Sequence, residues 1–236
     1  MSDLLRVAVD AAREAGALLL ERRSRVRSVE AKEDRSLVSD VDRASEALLR
    51  ARIAAAYPGH AILGEEGGGA CHDEATVWVI DPLDGTHNYL RGVPLFGVSV
   101  AVVRRGEFVV GVIDVPAEGL CYAAEKGGGA WRGGERIGVS RRADPATWTV
   151  GLDSDLRTGF PAKAAVLERL GRSVFNLRML GSSARSLSLV TRVDVPSLAG
   201  STLVVDRAHA RPGDVLRYTV SLQNASPFEV PNGLMR

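Results

Sequence analysis

Apolar positions recur at helical spacing from the start of the chain: Leu4, Leu5, Val7, Ala8, Ala11, Ala12, Ala15, Leu18 and Leu19, interrupted by Gly16. This stripe predicts an amphipathic helix over 3–22, capped by Ser2 or Asp3. The basic stretch 22–27 leads into a strand or exposed turn, in which Val26 and Val29 pair with later strand residues. Residues 32–36 are polar and read as loop. Ser39 or Asp40 caps a second helix over 41–57, with Leu48, Leu49, Ile53 and Ala56 facing inward, and Pro58-Gly59 stops it. Alternation and apolar runs then take over. Short strands are expected at 60–63 and 77–80, a hairpin at 96–103 and 108–115, and further strands at 120–124 and 136–139. Residues 126–134 read as a loop anchored by Trp131. A strand at 147–152, a helix from Pro161 through Leu170, a strand at 174–177 and a helix opening at 180–184 follow.

Composition narrows the class without naming a function. The 236 residues suffice for one sizeable core or two small domains, and 45% hydrophobic with 25% charged residues is a globular balance. A net charge of +1, with no Lys/Arg run longer than two, gives no steering field for nucleic acid. The two cysteines, Cys71 and Cys121, fit no zinc or redox spacing and are expected to be reduced. The apolar runs are far shorter than a membrane span, and the N-terminus turns at once into an amphipathic pattern without a signal peptide. Nucleic-acid and membrane partners are therefore not expected, and a cytoplasmic location is.

Candidate chemistry gathers around Asp81-Pro-Leu-Asp-Gly-Thr-His-Asn88. The run at 77–80 delivers Asp81 at its end, Pro82 forbids further ladder pairing, and Asp84-Gly85 turns the chain. Two carboxylates three residues apart, on backbone shaped by proline and glycine, can converge on one point and offer the hard oxygen ligands that Mg2+ takes. Glu65 and Glu66 end the preceding short strand. If the two strands lie side by side, Glu65, Asp81 and Asp84 share an edge and repel one another unless a cation neutralises them. Ordinary turn chemistry explains an isolated Asp-Pro-x-Asp-Gly equally well, but not the longer string beside Glu65. Capping and dipole matching explain one of Asp40 and Asp42 and leave the other for a metal site. Small residues at 181–184 expose N–H groups at a helix start. That is a possible anion seat, although ordinary capping is the more economical reading.

Four segments together resemble the inositol monophosphatase family of Mg2+-dependent, lithium-sensitive sugar-phosphate phosphatases. They are Lys32 with Ser39-Asp-Val-Asp42, Leu63-Gly-Glu-Glu66, Trp78 to Tyr89, and Leu180-Gly-Ser-Ser-Ala184. The resemblance implies an α+β, layered α/β sugar-phosphatase fold with mixed and antiparallel sheets, occupying 1–190 and incomplete at its C-terminal end. It implies metal binding by Glu65, Asp81 and Asp84 with the Leu83 carbonyl, and positioning of an attacking water by Thr86 and Glu65. Asp40 is implied as the acid near the entrance that steadies Thr86 or the outer metal water. Gly85 and Thr86 are implied to contact phosphate through their N–H groups, with Asp84, Gly181, Ser182, Ser183 and Ala184 on the substrate. Lys32 is implied as an outer anchor, and His87 has no assigned chemistry. The implied reaction is in-line attack of a metal-activated water on a phosphate monoester, with a small phosphorylated substrate and a possible homodimer.

The family's late Trp-Asp signature, whose Asp is a metal ligand, is not found after Trp148. Asp194 does not replace it, and Asp206 and Asp214 lie in no suitable motif. Residues 191–236 read instead as an atypical β-rich tail, with strands at 201–206 and 214–222 and turns at 211–214 and 223–226. This tail resembles a fragment of an immunoglobulin-like repeat of bacterial surface proteins, too short to close a sandwich. Two functions follow as expectations: Mg2+-dependent hydrolysis of a small phosphate monoester, or a weak or inactive phosphatase-like protein, binding, structural or a truncated fusion. Loss of the late segment should leave apolar surface on the second half of the fold.

Overall fold

A computed structural model describes residues 1–31, 37–69, 76–138, 144–152, 160–190, 201–205 and 218–222. The chain opens with helix α1 (Asp3–Arg22), whose N-cap Ser2 accepts from the Leu5 N–H. Leu5, Ala8, Ala11, Ala12, Ala15 and Leu19 form its buried stripe. Strands β1 (Val29–Ala31) and β2 (Leu37–Ser39) pair antiparallel, Val29 opposite Ser39. Helix α2 (Asp40–Ala56) starts from a capping box in which Ser39 and Asp42 bond reciprocally. Its buried face is Val41, Asp42, Ser45, Glu46, Leu49 and Ile53. Ala56, expected inside, is exposed.

Strands β3 (Ala61–Gly64) and β4 (Thr76–Asp84) follow, then the short helix α3 (Thr86–Leu90). The chain continues through β5 (Gly97–Arg104), β6 (Glu107–Val115), a 3-10 turn (Pro116–Glu118), β7 (Leu120–Glu125), β8 (Gly129–Arg132) and β9 (Glu135–Ile137). These seven strands make one sheet in the order β3-β4-β5-β6-β7-β8-β9. The β3–β4 pair is parallel and every other pair antiparallel. Residues expected as loop around Trp131 form β8, because Trp131 packs its ring on the core while its backbone pairs with Ala123.

The main core lies between this sheet and the α1–α2 layer. Leu5, Leu19, Leu49, Ile53, Trp78, Ile80, Tyr89, Phe96 and Val98 meet there. Burial of whole Leu, Ile and Phe side chains, each worth about 1.5–3 kcal/mol, sets the sheet against the helices. Because the sheet edge at β3–β4 is parallel, the carboxyl ends of both strands point the same way. The second half is smaller: β10 (Thr149–Gly151), α4 (Phe160–Ser173), β11 (Asn176–Arg178) and α5 (Ser183–Val190), with β10 and β11 parallel. Strands β12 (Ser201–Val205) and β13 (Tyr218–Leu222) pair antiparallel as a separate two-stranded sheet. No helix among the described residues is long and apolar enough to cross a membrane.

Candidate active site at the carboxyl ends of β3 and β4

Parallel pairing puts Gly64 opposite Ile80, so the residues that follow them, Glu65 and Asp81, emerge side by side. The strand does not stop at Pro82. Ladder pairing shifts by one residue between Asp81 (opposite Ser99) and Asp84 (opposite Gly97), and Pro82 sits in that bulge, where its missing N–H disrupts nothing. Ser45 on α2 donates to the Pro82 carbonyl at 2.8 Å and holds the bulge against the helix layer. Gly85 then takes a left-handed conformation (φ 88°), which turns the chain into α3.

Asp81 is buried, and its Oδ1 accepts the Leu83 N–H at 3.2 Å. Burial, then the neighbouring charges of Glu65 and Asp84, raise its carboxyl well above the usual range. The three acids named from the strand-end spacing therefore do interact. The oxygen-only donor set and the accumulated negative charge fit a hard divalent cation. As they stand, no group of three or more such side chains among the described residues is arranged to hold a metal ion. Asp84 is engaged elsewhere. Its carboxylate accepts the Ser182 hydroxyl and the N–H groups of Ser183 (3.1 Å) and Ala184 (3.0 Å). The N–H groups at the start of α5 are thus taken by a carboxylate of this chain, in keeping with the capping reading that the sequence favoured over an anion seat. Ser182 also caps the helix, accepting the Arg185 N–H at 3.0 Å. Gly181 is reached through Asn88, whose amide donates to the carbonyls of Leu95 (2.8 Å), Leu180 (2.7 Å) and Gly181 (3.2 Å). One side chain thus joins α3 to the 180–181 turn.

Thr86 opens α3, and its hydroxyl lies 3.0 Å from both Asp42 Oδ1 and the Leu83 carbonyl. The acid that steadies Thr86 is therefore Asp42, not Asp40. The Asp40 carboxylate faces away and accepts the N–H groups of Arg27 (3.0 Å) and Ser28 (3.2 Å). Burial pulls its carboxyl up, but those N–H donors outweigh it and hold the group below its ordinary value. The physical reason is helical spacing: Asp40 is N1 of α2 and points to the 27–28 backbone ahead of β1, whereas Asp42, two residues on, lies on the buried face. Asp42 Oδ2 takes the Ser39 hydroxyl (2.5 Å) and N–H (2.9 Å), and burial raises its carboxyl against the pull of those bonds. A legible signal existed. The inward face of α2 carries Asp42, Ser45 and Glu46, polar residues at i, i+3 and i+4 where an amphipathic helix puts apolar ones. Lys32, Cys71, Asp194, Asp206 and Asp214 lie outside the described residues. Cys121 is a free, buried thiol.

The sequence profile of the inositol monophosphatase family matches residues 1–197. A Nus factor SuhB of Pseudomonas aeruginosa is 38% identical over 185 residues, covering 76% of this chain and 66% of that protein. An inositol-1-monophosphatase of Mesorhizobium japonicum is 37% identical over 194 residues, 80% of this chain and 73% of that one. Among solved structures, the Bartonella henselae extragenic suppressor protein suhB superposes with a TM-score of 0.76 at 30% identity, covering 80% of this chain and 74% of that one. The Thermotoga maritima IMPase gives 0.72 at 34%, covering 80% and 72%. The chain thus spans just under two thirds of the Pseudomonas protein's length and about three quarters of the others. These matches lend no support to a surface-protein repeat in the tail.

Proposed function

Because the chain belongs to the inositol monophosphatase family, we propose that it is a Mg2+-dependent phosphatase of a small phosphate monoester, an inositol monophosphate or related sugar phosphate. The observation that carries this reading is the approach of Glu65 and Asp84 to the buried Asp81 beside a Thr86 held by Asp42. Glu65, Asp81 and Asp84, with the Leu83 carbonyl, would hold the cation. When bound, such a cation lowers the pKa of a coordinated water and offsets charge on the leaving oxygen.

The remaining roles belong to the chain's own groups. Asp42 accepts from the Thr86 hydroxyl, which leaves the Thr86 oxygen lone pairs to orient a water, and Glu65 takes that water's proton. The N–H groups of Gly85 and Thr86, at the start of α3, face the phosphate. Rotation of Asp84 toward Asp81 would release the Ser183 and Ala184 N–H groups to a substrate oxygen. We assign the reaction to residues 1–190 and leave the tail, 191–236, outside it. A cytoplasmic homodimer is the assembly that accompanies this reading.

Phosphate release from inositol 1-phosphate, with and without Mg2+, tests it. Release that requires Mg2+ and disappears in Asp81→Asn is the expected result. Release unaffected by a chelator would overturn the metal reading. Turnover far below that of longer relatives would instead favour the weak-phosphatase alternative, which rests on the lack of the late Trp-Asp signature.

A further inference from the structure

Glu46 is the polar residue of the inward face of α2 that the phosphatase reading leaves without a role. It is 4% exposed. Its Oε2 accepts the Glu66 N–H at 2.8 Å and its Oε1 accepts the Gly67 N–H at 2.8 Å. Arg50, one helical turn on, donates from Nε to Oε1 at 2.7 Å. The same guanidinium reaches the Gly68 carbonyl through Nη2 at 2.6 Å and the Ile62 carbonyl through Nη1 at 3.3 Å. One ion pair therefore grips the turn after β3 by its N–H groups and by a carbonyl, and ties it to the strand it leaves. Glu65 is the residue immediately before the gripped amides.

The backbone around the pair is cut to fit. A Cβ on Gly64 would lie 2.5 Å from Glu46 Oε1, and a Cβ on Gly67 would lie 2.5 Å from the same atom. A side chain at either position would force the carboxylate out of its place. The Gly64 N–H closes the turn on the Gly68 carbonyl at 3.0 Å. Gly64 and Gly67, on either side of Glu65 and Glu66, thus leave room for the clamping carboxylate.

We infer that the Glu46–Arg50 pair is a positioning device for cation binding: it fixes the turn that places Glu65 beside Asp81. This rests on the phosphatase reading above. Outer partners that orient metal ligands shift affinity about 10–100-fold when removed. A bare guanidinium–carboxylate brace with no functional role would change stability alone.

Mn2+ serves as the probe, because its free ion is counted directly by electron paramagnetic resonance. Wild type, Glu46→Gln, Arg50→Lys and Gly67→Ala are titrated, with circular dichroism and the melting temperature of the metal-free proteins recorded alongside. Glu46→Gln is expected to bind Mn2+ at least about tenfold more weakly while remaining folded. Arg50→Lys, which keeps the charge but loses the fork, falls between them. Gly67→Ala presses a Cβ against the Glu46 carboxylate while both charges of the ion pair remain, and carries the test if Glu46→Gln does not fold. Wild-type Mn2+ affinity in folded Glu46→Gln or Gly67→Ala overturns the inference, whatever the melting temperature. A wild type that binds no Mn2+ overturns the cation reading itself and the inference with it. The two failures are told apart by the wild-type titration alone.

Discussion

At the scale of single residues, the most consequential placement is Asp42. Its charge is costly to bury, and the Ser39 and Thr86 donors make it tolerable. Asp42→Asn keeps the shape but turns one acceptor into a donor against Thr86 or Ser39. Its kcat for phosphate release should fall about 100-fold or more, the scale of a lost acid–base partner, as read by steady-state kinetics. Asp114 carries a separate prediction. Burial raises its carboxyl to about 7, against a downward pull from Arg13. It faces helix α1 where Gly16 stands, and a Cβ on Gly16 would meet Asp114 Oδ2 at 2.1 Å. The unfolded group titrates near 4, so between about pH 4 and 7 the native chain holds a proton that the unfolded chain has released. Stability contributed by this group is therefore full below pH 4 and is lost as pH rises to 7. Asp114→Asn should flatten that slope and stabilise the protein at pH 8 by up to about 4 kcal/mol, measured by urea unfolding across the window.

At the scale of elements, the site is made by a strand that continues through an irregularity. Pro82 suggests an end to β4, yet the sheet carries on to Asp84 because the bulge absorbs one residue and the Ser45 hydroxyl donates to the Pro82 carbonyl. Gly85 then needs its positive φ, and a Cβ there would lie 2.8 Å from the Leu95 carbonyl. Gly85→Ala should cost at least about 1–2 kcal/mol in chemical denaturation, and more where the carbonyl cannot move. Helix α5 is fixed by its own ion pair: the buried Arg185 reaches Glu118 in the 3-10 turn after β6 and the Ser188 hydroxyl at 2.7 Å. That contact between the two halves brings the Ser183 and Ala184 N–H groups to Asp84.

At the scale of the whole molecule, the two halves differ in how well they cover themselves. The sheet of the first half is packed under α1 and α2, whereas α4 has no buried residue. Phe160 (55% exposed), Val166 (42%), Phe175 (73%) and Met179 (47%) stand out on or beside α4 and β11. Among the described residues nothing covers this apolar flank, which is unusual for a parallel pair, ordinarily covered on both faces. The purified protein should bind an apolar dye strongly, and replacing Phe175 and Met179 together with Ser should reduce that fluorescence without changing the far-ultraviolet spectrum. Unchanged fluorescence would locate the apolar surface elsewhere.

The sequence by itself determined most of the elements and the family to which the chain belongs. Helical and alternating periodicity placed α1, α2 and most strands within a few residues, because burial on one face imposes that spacing. The acids at the ends of two apolar runs were legible for the same reason. Only the tertiary structure decided that β3 and β4 are parallel neighbours, and so that Glu65 lies beside Asp81. Periodicity within a strand does not record its partner. It also decided between Asp40 and Asp42, which are two residues apart in the chain but on different faces of one helix. The candidate site named from Asp81 and Asp84 thus packs against α2, which reaches it through Asp42 on Thr86 and Ser45 on Pro82.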